Sequence, residues 1–322
     1  MKTPAAVKSK APPKTPISTE QRRRRIQDNV TSYAMLAPNL ILFLVFSLYP
    51  VLWTLKYVFY RYSGFGATAP QFVGLDNIVR VFHDKVYWLA VRNTFVYAAG
   101  KLLITLPISF FLAVILNKKR KLNGTLQSAV FTPTIMSSAV MGLVFYLLFN
   151  VYNGQINKML TGAGIVSQNI NWLGKENAMK TLIIVAVWGA IGNYMVYFIA
   201  GLQQIAEDAM ESARIDGANR LQTLWCITLP MMGPVLKTIL MLAITAAFSD
   251  MNSVMVLTEG GPVNSTMTMA LYGYSFFFSV SESAAVTPQY GYGAAVSFIS
   301  ACIAGLVTIV YLKFAAKLDD IY

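Results

Sequence analysis

The chain has 322 residues, of which 56% are hydrophobic and only 12% charged, with a mean hydropathy of +0.53 and a formal net charge of +12. A soluble domain carries about 25% charged residues, so this composition excludes an ordinary water-exposed globule and indicates a polytopic helical membrane protein. The basic residues flank apolar runs instead of forming one patch, which points to a lipid bilayer and away from nucleic acid.

Residues 1–30 read as a basic, disordered cytoplasmic tail, rich in Pro, Lys and Ser and carrying Arg22-Arg23-Arg24-Arg25. No apolar core before a small-residue cleavage site occurs there, so the first span is expected to be retained. The arginine run then serves as a topology anchor. Residues 31–322 form the membrane domain. Six segments in it are long enough to cross roughly 30 Å of hydrocarbon, which takes about 20 helical residues. They are expected near 33–55, 93–116, 125–149, 181–202, 235–257 and 291–312. Pro38, Pro50, Pro107, Pro133, Gly142 and Gly192 fall inside them, which membrane helices tolerate when neighbours satisfy the freed backbone. The predicted fold is all-α, with six transmembrane helices.

Orientation follows from Lys and Arg. With the N-terminus inside, 17 of the 26 basic residues lie in 1–32, 117–124, 204–237 and 313–322. The short turn Asn117-Lys118-Lys119-Arg120-Lys121 carries most weight, because short loops follow the positive-inside bias best. Both termini are expected in the cytoplasm, with 61–92, 150–180 and 259–289 outside. The lone His83 falls in a loop and makes no case for catalysis, and Cys226 and Cys302 have neither metal-site nor disulfide spacing. A phosphate-binding loop needs G-x4-G-K-[ST]. Gly100-Lys101 and Gly174-Lys175 both lack the upstream glycine and the following hydroxyl. No catalytic residue, bound cofactor or metal is expected in this chain.

The stretch ESARIDGANRLQTLWCITLP (211–230) stands between the fourth and fifth spans. Residues 204–215 favour a helix, Asp216-Gly217 breaks it, and a second short helix is expected from Asn219 through Trp225. Pro230 and Pro234 suit the start of span five. Met210, Ile215, Leu221, Leu224 and Trp225 give this loop (204–234) more apolar surface than a connector needs, as a docking surface would have. An amphipathic loop lying on the bilayer is the plainer alternative.

Glu211-Ser212-Ala213, three residues, Gly217, nine residues, Ile227, one residue and Leu229-Pro230 match the EAA motif, E-A-A-x3-G-x9-I-x-L-P, with Ser212 in place of the central Ala. Together with LAPNLILFLVFSLYP (36–50), FVGLDNIVRVF (72–82), NTFVYAAG (93–100), AGLQQI (200–205), VLTEGGP (256–262) and YGYGAAVSF (290–298), these residues make the chain resemble the MalF-type permeases. These are the carbohydrate branch of the membrane subunits of binding-protein-dependent ABC importers. The resemblance covers residues 30–315; the large external insertion of some members is absent. It implies a type I importer permease in the inner membrane, working with a second, MalG-like EAA-motif permease, an ABC ATPase dimer that carries ATP and Mg, an extracytoplasmic solute-binding protein and a carbohydrate substrate. It also implies that the loop is a coupling helix seated in the ATPase, with Glu211, Ala213, Asp216, Gly217, Ala218, Ile227, Leu229 and Pro230 as the coupling residues. Glu211 would make the main polar contact and Gly217 the turn.

Asp250 is the only acidic residue inside the expected spans, where a charge is costly and marks a functional hypothesis. Sugars are held by hydrogen bonds to hydroxyls and by aromatic faces, and the family's intramembrane sugar site uses spans four and five. The resemblance therefore implies a substrate path at Asn193, Tyr194, Ser249, Asp250 and Asn252. The same residues suit hydrogen bonds to the second permease, and Asp250 could pair with Lys101 of span two. Two other functions stay open: an ion-coupled secondary transporter, normally marked by internal repeats and discontinuous helices, and a membrane scaffold that recruits a soluble protein without transport.

Overall fold

Helices dominate, as long apolar runs in lipid require: only intrasegment hydrogen bonding can satisfy the backbone there. The computed structural model describes residues 19–64, 69–118, 120–278 and 288–316. It divides into two units, residues 1–54 and 55–322.

In the first unit, α1 (Thr19–Phe43) passes through a π-helical turn, Leu44–Leu48, into α2 (Tyr49–Tyr57). The disordered tail expected over 1–30 is therefore corrected: residues 19–30 are helical, because Glu, Gln and Arg are good helix formers that extend the apolar helix behind them. Residues 1–18 lie outside the described residues. The π turn has a local cause. Pro50 has no N–H for the carbonyl four residues back and its ring crowds that carbonyl, so the ladder widens just before it.

The second unit begins with an antiparallel pair, β1 (Tyr60–Arg61) and β2 (Gln71–Phe72), in which Tyr60 faces Phe72 and Arg61 faces Gln71. The helix α3 (Asp76–His83) leads into α4 (Lys85–Leu116), whose N-terminus is capped by Asp84. His83, expected in a loop, closes α3 and bonds Val79 O at 2.8 Å. The Asp84 carboxylate accepts from Val86 N at 2.8 Å, Tyr87 N at 3.3 Å and, on its other oxygen, from the Tyr272 and Tyr292 hydroxyls at 2.6 Å each. Burial alone would raise its pKa, but these four donors outweigh it and hold the carboxyl below its ordinary value.

There follow α5 (Asn123–Ile135), α6 (Ser138–Leu148), α7 (Gln155–Gly162), α8 (Ala178–Leu202), α9 (Glu207–Ile215), α10 (Arg220–Thr223), a second π turn at Leu224–Thr228, α11 (Leu229–Met231), α12 (Gly233–Phe248), α13 (Asn252–Thr258), α14 (Met269–Ser275) and α15 (Tyr290–Ala315). Among the described residues, four helices are long and apolar enough to cross a bilayer: Asn29–Tyr57, Lys85–Leu116, Ala178–Leu202 and Tyr290–Ala315. Two bent pairs raise the number to at most six when each is taken as one span: α5 with α6, bent by 93°, and Arg220–Met231 with α12, bent by 72°. The second pair begins inside the expected loop and ends at Phe248, short of the expected 257.

Two of the expected spans differ in detail. The segment 125–149 is not one straight helix. Pro133 weakens the last turn of α5, Met136 is extended, and the Ser137 hydroxyl caps α6 by accepting from Val140 N at 3.3 Å. Likewise 235–257 is interrupted, with α12 ending at Phe248 and α13 starting at Asn252.

Helix α4 packs chiefly on α8, which also crosses α5. The second crossing is close because Gly192 has no side chain: a Cβ there would stand 2.6 Å from Val130 O and 2.7 Å from Phe131 Cα. Small residues permit such approaches where lipid supplies no hydrophobic drive between helices. Buried apolar residues form three clusters along α4. One surrounds its start, with Val81, Tyr87 and Tyr292; a second includes Tyr97, Leu182 and Leu257; the third surrounds its end, with Leu116, Ile199 and Met232.

Candidate functional site

The loop after α8 folds as a helical knuckle whose stops are set by local hydrogen bonds. Helix α9 covers the second part of the expected 204–215 helix. It ends in a Schellman arrangement, in which Ala218 N donates to Ala213 O at 2.9 Å and Gly217 N to Arg214 O at 3.1 Å. Gly217 has φ +78°, the left-handed conformation that side-chain-bearing residues avoid. Ala213 is buried, and it supplies the carbonyl that the turn closes on. The small residues at 213, 217 and 218 are thus explained by one turn. Asn219 then starts α10 with a reciprocal capping box: Gln222 N donates to Asn219 Oδ1 at 2.9 Å, and Asn219 N donates to Gln222 Oε1 at 2.8 Å.

The expected second helix continues beyond Trp225 through the π turn and α11, with Pro230 in the first turn of α11 and Pro234 in that of α12. This π turn, like the first, ends two residues before a proline. Ile227, Leu229 and Pro230 are half-buried and carry the chain from knuckle to span. The outer surface of the knuckle is apolar at its centre: Ile215 is 85% exposed, Leu221 69% and Trp225 66%. Glu211 and Asp216 are also exposed. The knuckle lies at the end of α4, where Gln203 Nε2 donates to Asn117 Oδ1 at 3.3 Å.

A second polar constellation joins α4 to the break between α12 and α13. The break between α12 and α13 presents Asp250 to α4, where its Oδ2 accepts from Lys101 Nζ at 2.7 Å and from the Tyr97 hydroxyl at 2.5 Å. Its Oδ1 accepts from Ser253 N at 3.2 Å. Lys101 and Asp250 are both close to fully buried, at 11% and 12% side-chain exposure. The pairing with Lys101 is therefore realised.

Of the five residues expected to line a substrate path, Tyr194 is buried. Ser249 and Asn252 flank the break and are exposed, with the Ser249 hydroxyl bonded back to Thr245 O at 2.8 Å, and Asn193 is half-buried on α8. Among the described residues, no hydrogen bond joins Asn193, Ser249 or Asn252 to Asp250. Tyr97 was not anticipated. Its signal was its position one helical turn before Lys101, at i and i+4 on one face. Thr134, in α5, donates to Gly189 O at 3.1 Å and so serves helix packing.

Comparison with known proteins adds to this geometry. The model of the family "Binding-protein-dependent transport system inner membrane component" matches residues 105–319. The chain is 31% identical over 290 residues to the probable ABC transporter permease protein YesP of Bacillus subtilis (strain 168), covering 89% of this chain and 91% of that one. It is 31% identical over 292 residues to the lactose transport system permease protein LacF of Rhizobium radiobacter, covering 89% and 94%. Its fold is similar to that of a solved bacterial ABC transporter involved in the import of the acidic polysaccharide alginate. There the TM-score is 0.76 at 21% identity, covering 92% of this chain and 99% of the matched chain.

Proposed function

The chain belongs to the binding-protein-dependent transport system inner membrane components, and from that membership we propose that it forms one half of the translocation path of an ABC importer for a sugar or an oligosaccharide. It is a multi-pass transport component of the membrane. The name of the lactose relative supports the substrate class. The single observation that carries the mechanism is the knuckle, a stiff, locally closed element with an exposed apolar centre beside an exposed carboxylate.

ATP and Mg belong to a partner ATPase dimer, since this chain has no phosphate-cradling glycine loop. Ile215, Leu221 and Trp225 fill a cleft on that partner, and Glu211 meets a polar group at its edge. The Schellman turn at Gly217 and the capping box at Asn219 keep the two short helices from yielding. Displacement of the knuckle by ATP-driven closure therefore passes through Ile227, Leu229 and Pro230 into α12. At the far end of α12, the Lys101–Asp250 pair ties the α12–α13 junction to α4. Asp250 then acts as a strut, while Ser249 and Asn252, with Asn193 and Tyr194, line the path or meet the second, MalG-like permease. Both termini and the knuckle lie in the cytoplasm, and the loops at the other end meet an extracytoplasmic solute-binding protein.

The interrupted spans are a feature shared with ion-coupled transporters, so the test must separate the energy sources. Proteoliposomes holding this chain, its partner permease and the ATPase should take up sugar only with internal ATP and external binding protein. Uptake driven by an ion gradient without ATP would support the secondary transporter, and docking of a soluble protein with no uptake would support the scaffold.

A further inference from the structure

At the end of α4 opposite the knuckle, β1, α3 and the start of α15 line an open polar cavity of about 250 Å³. Its walls include Arg61, Asp76, Asn77, Arg80, Gln289 and Tyr292. We propose that this cavity is a carboxylate-binding socket, with Arg61 and Arg80 receiving an Asp or Glu side chain of the extracytoplasmic solute-binding protein. The assignment rests on the importer reading above and adds the chemistry of the contact.

Charge is the first argument. Two guanidinium groups and one carboxylate share the cavity, and among the described residues the only ion pair is Lys101–Asp250, elsewhere in the molecule. No hydrogen bond engages the Arg61 side chain among the described residues. An arginine with no ion-pair partner among the described residues, beside a second one, favours an anion, and the planar fork matches a carboxylate with two parallel hydrogen bonds.

Pre-organisation is the second. Arg80 lies flat on the Tyr292 ring, its Cζ 3.9 Å from the ring centroid, and donates from Nη1 to Gln289 Oε1 at 2.8 Å. Tyr292 is itself fixed through its hydroxyl to Asp84. The buried Asn77 amide donates to Val58 O at 2.9 Å and Tyr60 O at 3.0 Å, which locks α3 to the strand that carries Arg61. Gly291 N donates to Tyr62 O at 3.1 Å and ties the residue after that strand to α15. Arg80 is thus held in place, and the backbone that carries Arg61 is fixed, before any ligand arrives, which lowers the ordering cost of binding.

Size is the third. Small-molecule sites run from about 300 to 1,000 Å³ and are mostly apolar. This cavity is smaller and polar, which suits one carboxylate side chain with a few waters better than a sugar chain. Its position also separates it from the proposed path, since it is lined by β1, α3 and the start of α15 and by no residue of the 32-residue helix whose middle carries Lys101.

The experiment uses the complete transporter in nanodiscs and reads the concentration of sugar-loaded binding protein that half-maximally stimulates ATP hydrolysis. The proposal expects Arg61→Glu to raise that concentration about tenfold, as loss of a complementary interface charge does, with insertion and basal hydrolysis unchanged. Asp76→Asn, which removes a repelling carboxylate from the same cavity, is expected to lower it. An Asp or Glu on the binding protein changed to Arg should restore stimulation of the Arg61→Glu transporter at one position only. The proposal is overturned when the two variants shift the midpoint in the same direction or leave it unmoved while the wild type is stimulated. It is equally overturned when they change only the sugar concentration needed at saturating binding protein, because the cavity then serves an acidic substrate. A wild type that no binding protein stimulates would remove the importer reading, and the socket with it.

Discussion

The knuckle and the Lys101–Asp250 cluster solve opposite problems with the same few interactions. In the knuckle, the closing hydrogen bonds join residues three to five positions apart, such as Ala218 to Ala213 and Gln222 to Asn219. The apolar side chains Ile215, Leu221 and Trp225 stay in solvent. In the cluster, Tyr97 and Lys101 reach Asp250 across 153 and 149 positions of sequence, and the charges are buried. A locally closed element keeps its shape while its face is free to meet another protein. A long-range charge pair holds its shape only as long as the helices around it stay packed.

The sharpest way to break this contrast is Lys101→Ala. It leaves the Asp250 carboxylate buried without its cation, and removing one member of a buried pair costs about 3–5 kcal/mol. Thermal denaturation of the purified transporter should show a large loss of Tm. The double variant Lys101→Met with Asp250→Leu should recover most of it, because a packed apolar pair removes both desolvation costs. An unchanged Tm in the single variant would show that the pair is not a structural tie.

Next in size are changes on the knuckle that spare the bilayer-embedded helices. Gly217→Val forces a β-branched residue to φ +78°, at about 1–2 kcal/mol of local strain, and reshapes the docking face. Glu211→Lys reverses the charge beside it. Both are expected to abolish ATP-dependent uptake while the protein inserts at wild-type levels by immunoblot, and normal uptake by either would refute the coupling role. A milder effect follows from Asn219→Ala, which removes one half of the capping box at about 1 kcal/mol. Uptake should fall only a few-fold, with faster hydrogen exchange confined to residues 217–224.

The smallest effect concerns Asp84, far from both regions. Its carboxyl pKa is lower in the folded state than in the unfolded chain. Its contribution is therefore complete above the unfolded value near 3.9 and is lost as pH falls through the folded value. Asp84→Asn keeps the cap but weakens the bonds from Tyr272 and Tyr292. The Tm difference from wild type at pH 7 should be modest and should shrink when both are measured near pH 3.

Much of the fold was readable because its causes are local. Apolar length marked the spans, and Gly217 with Leu229-Pro230 marked the knuckle. The readings that needed amendment show where locality ends. The Pro, Lys and Ser content of residues 1–30 and their arginine run read as tail, although the same arginines are good helix formers once an apolar helix follows. The bend at Met136 and the gap at Ser249–Met251 escaped hydropathy, which measures transfer to lipid and is blind to direction. Tyr97 was passed over because its partner lies in another helix.

By itself the order of residues determined that the chain is a multi-spanning helical membrane protein and where its knuckle turns, at Gly217, since transfer energy and turn geometry act over a few neighbouring residues. Only the tertiary arrangement decided that Asp250 meets Lys101 and Tyr97, and that Arg61 and Arg80 come to share one cavity. Electrostatic and hydrogen-bond energies depend on distances in space, and those distances exist only after α4, α12 and α15 have packed.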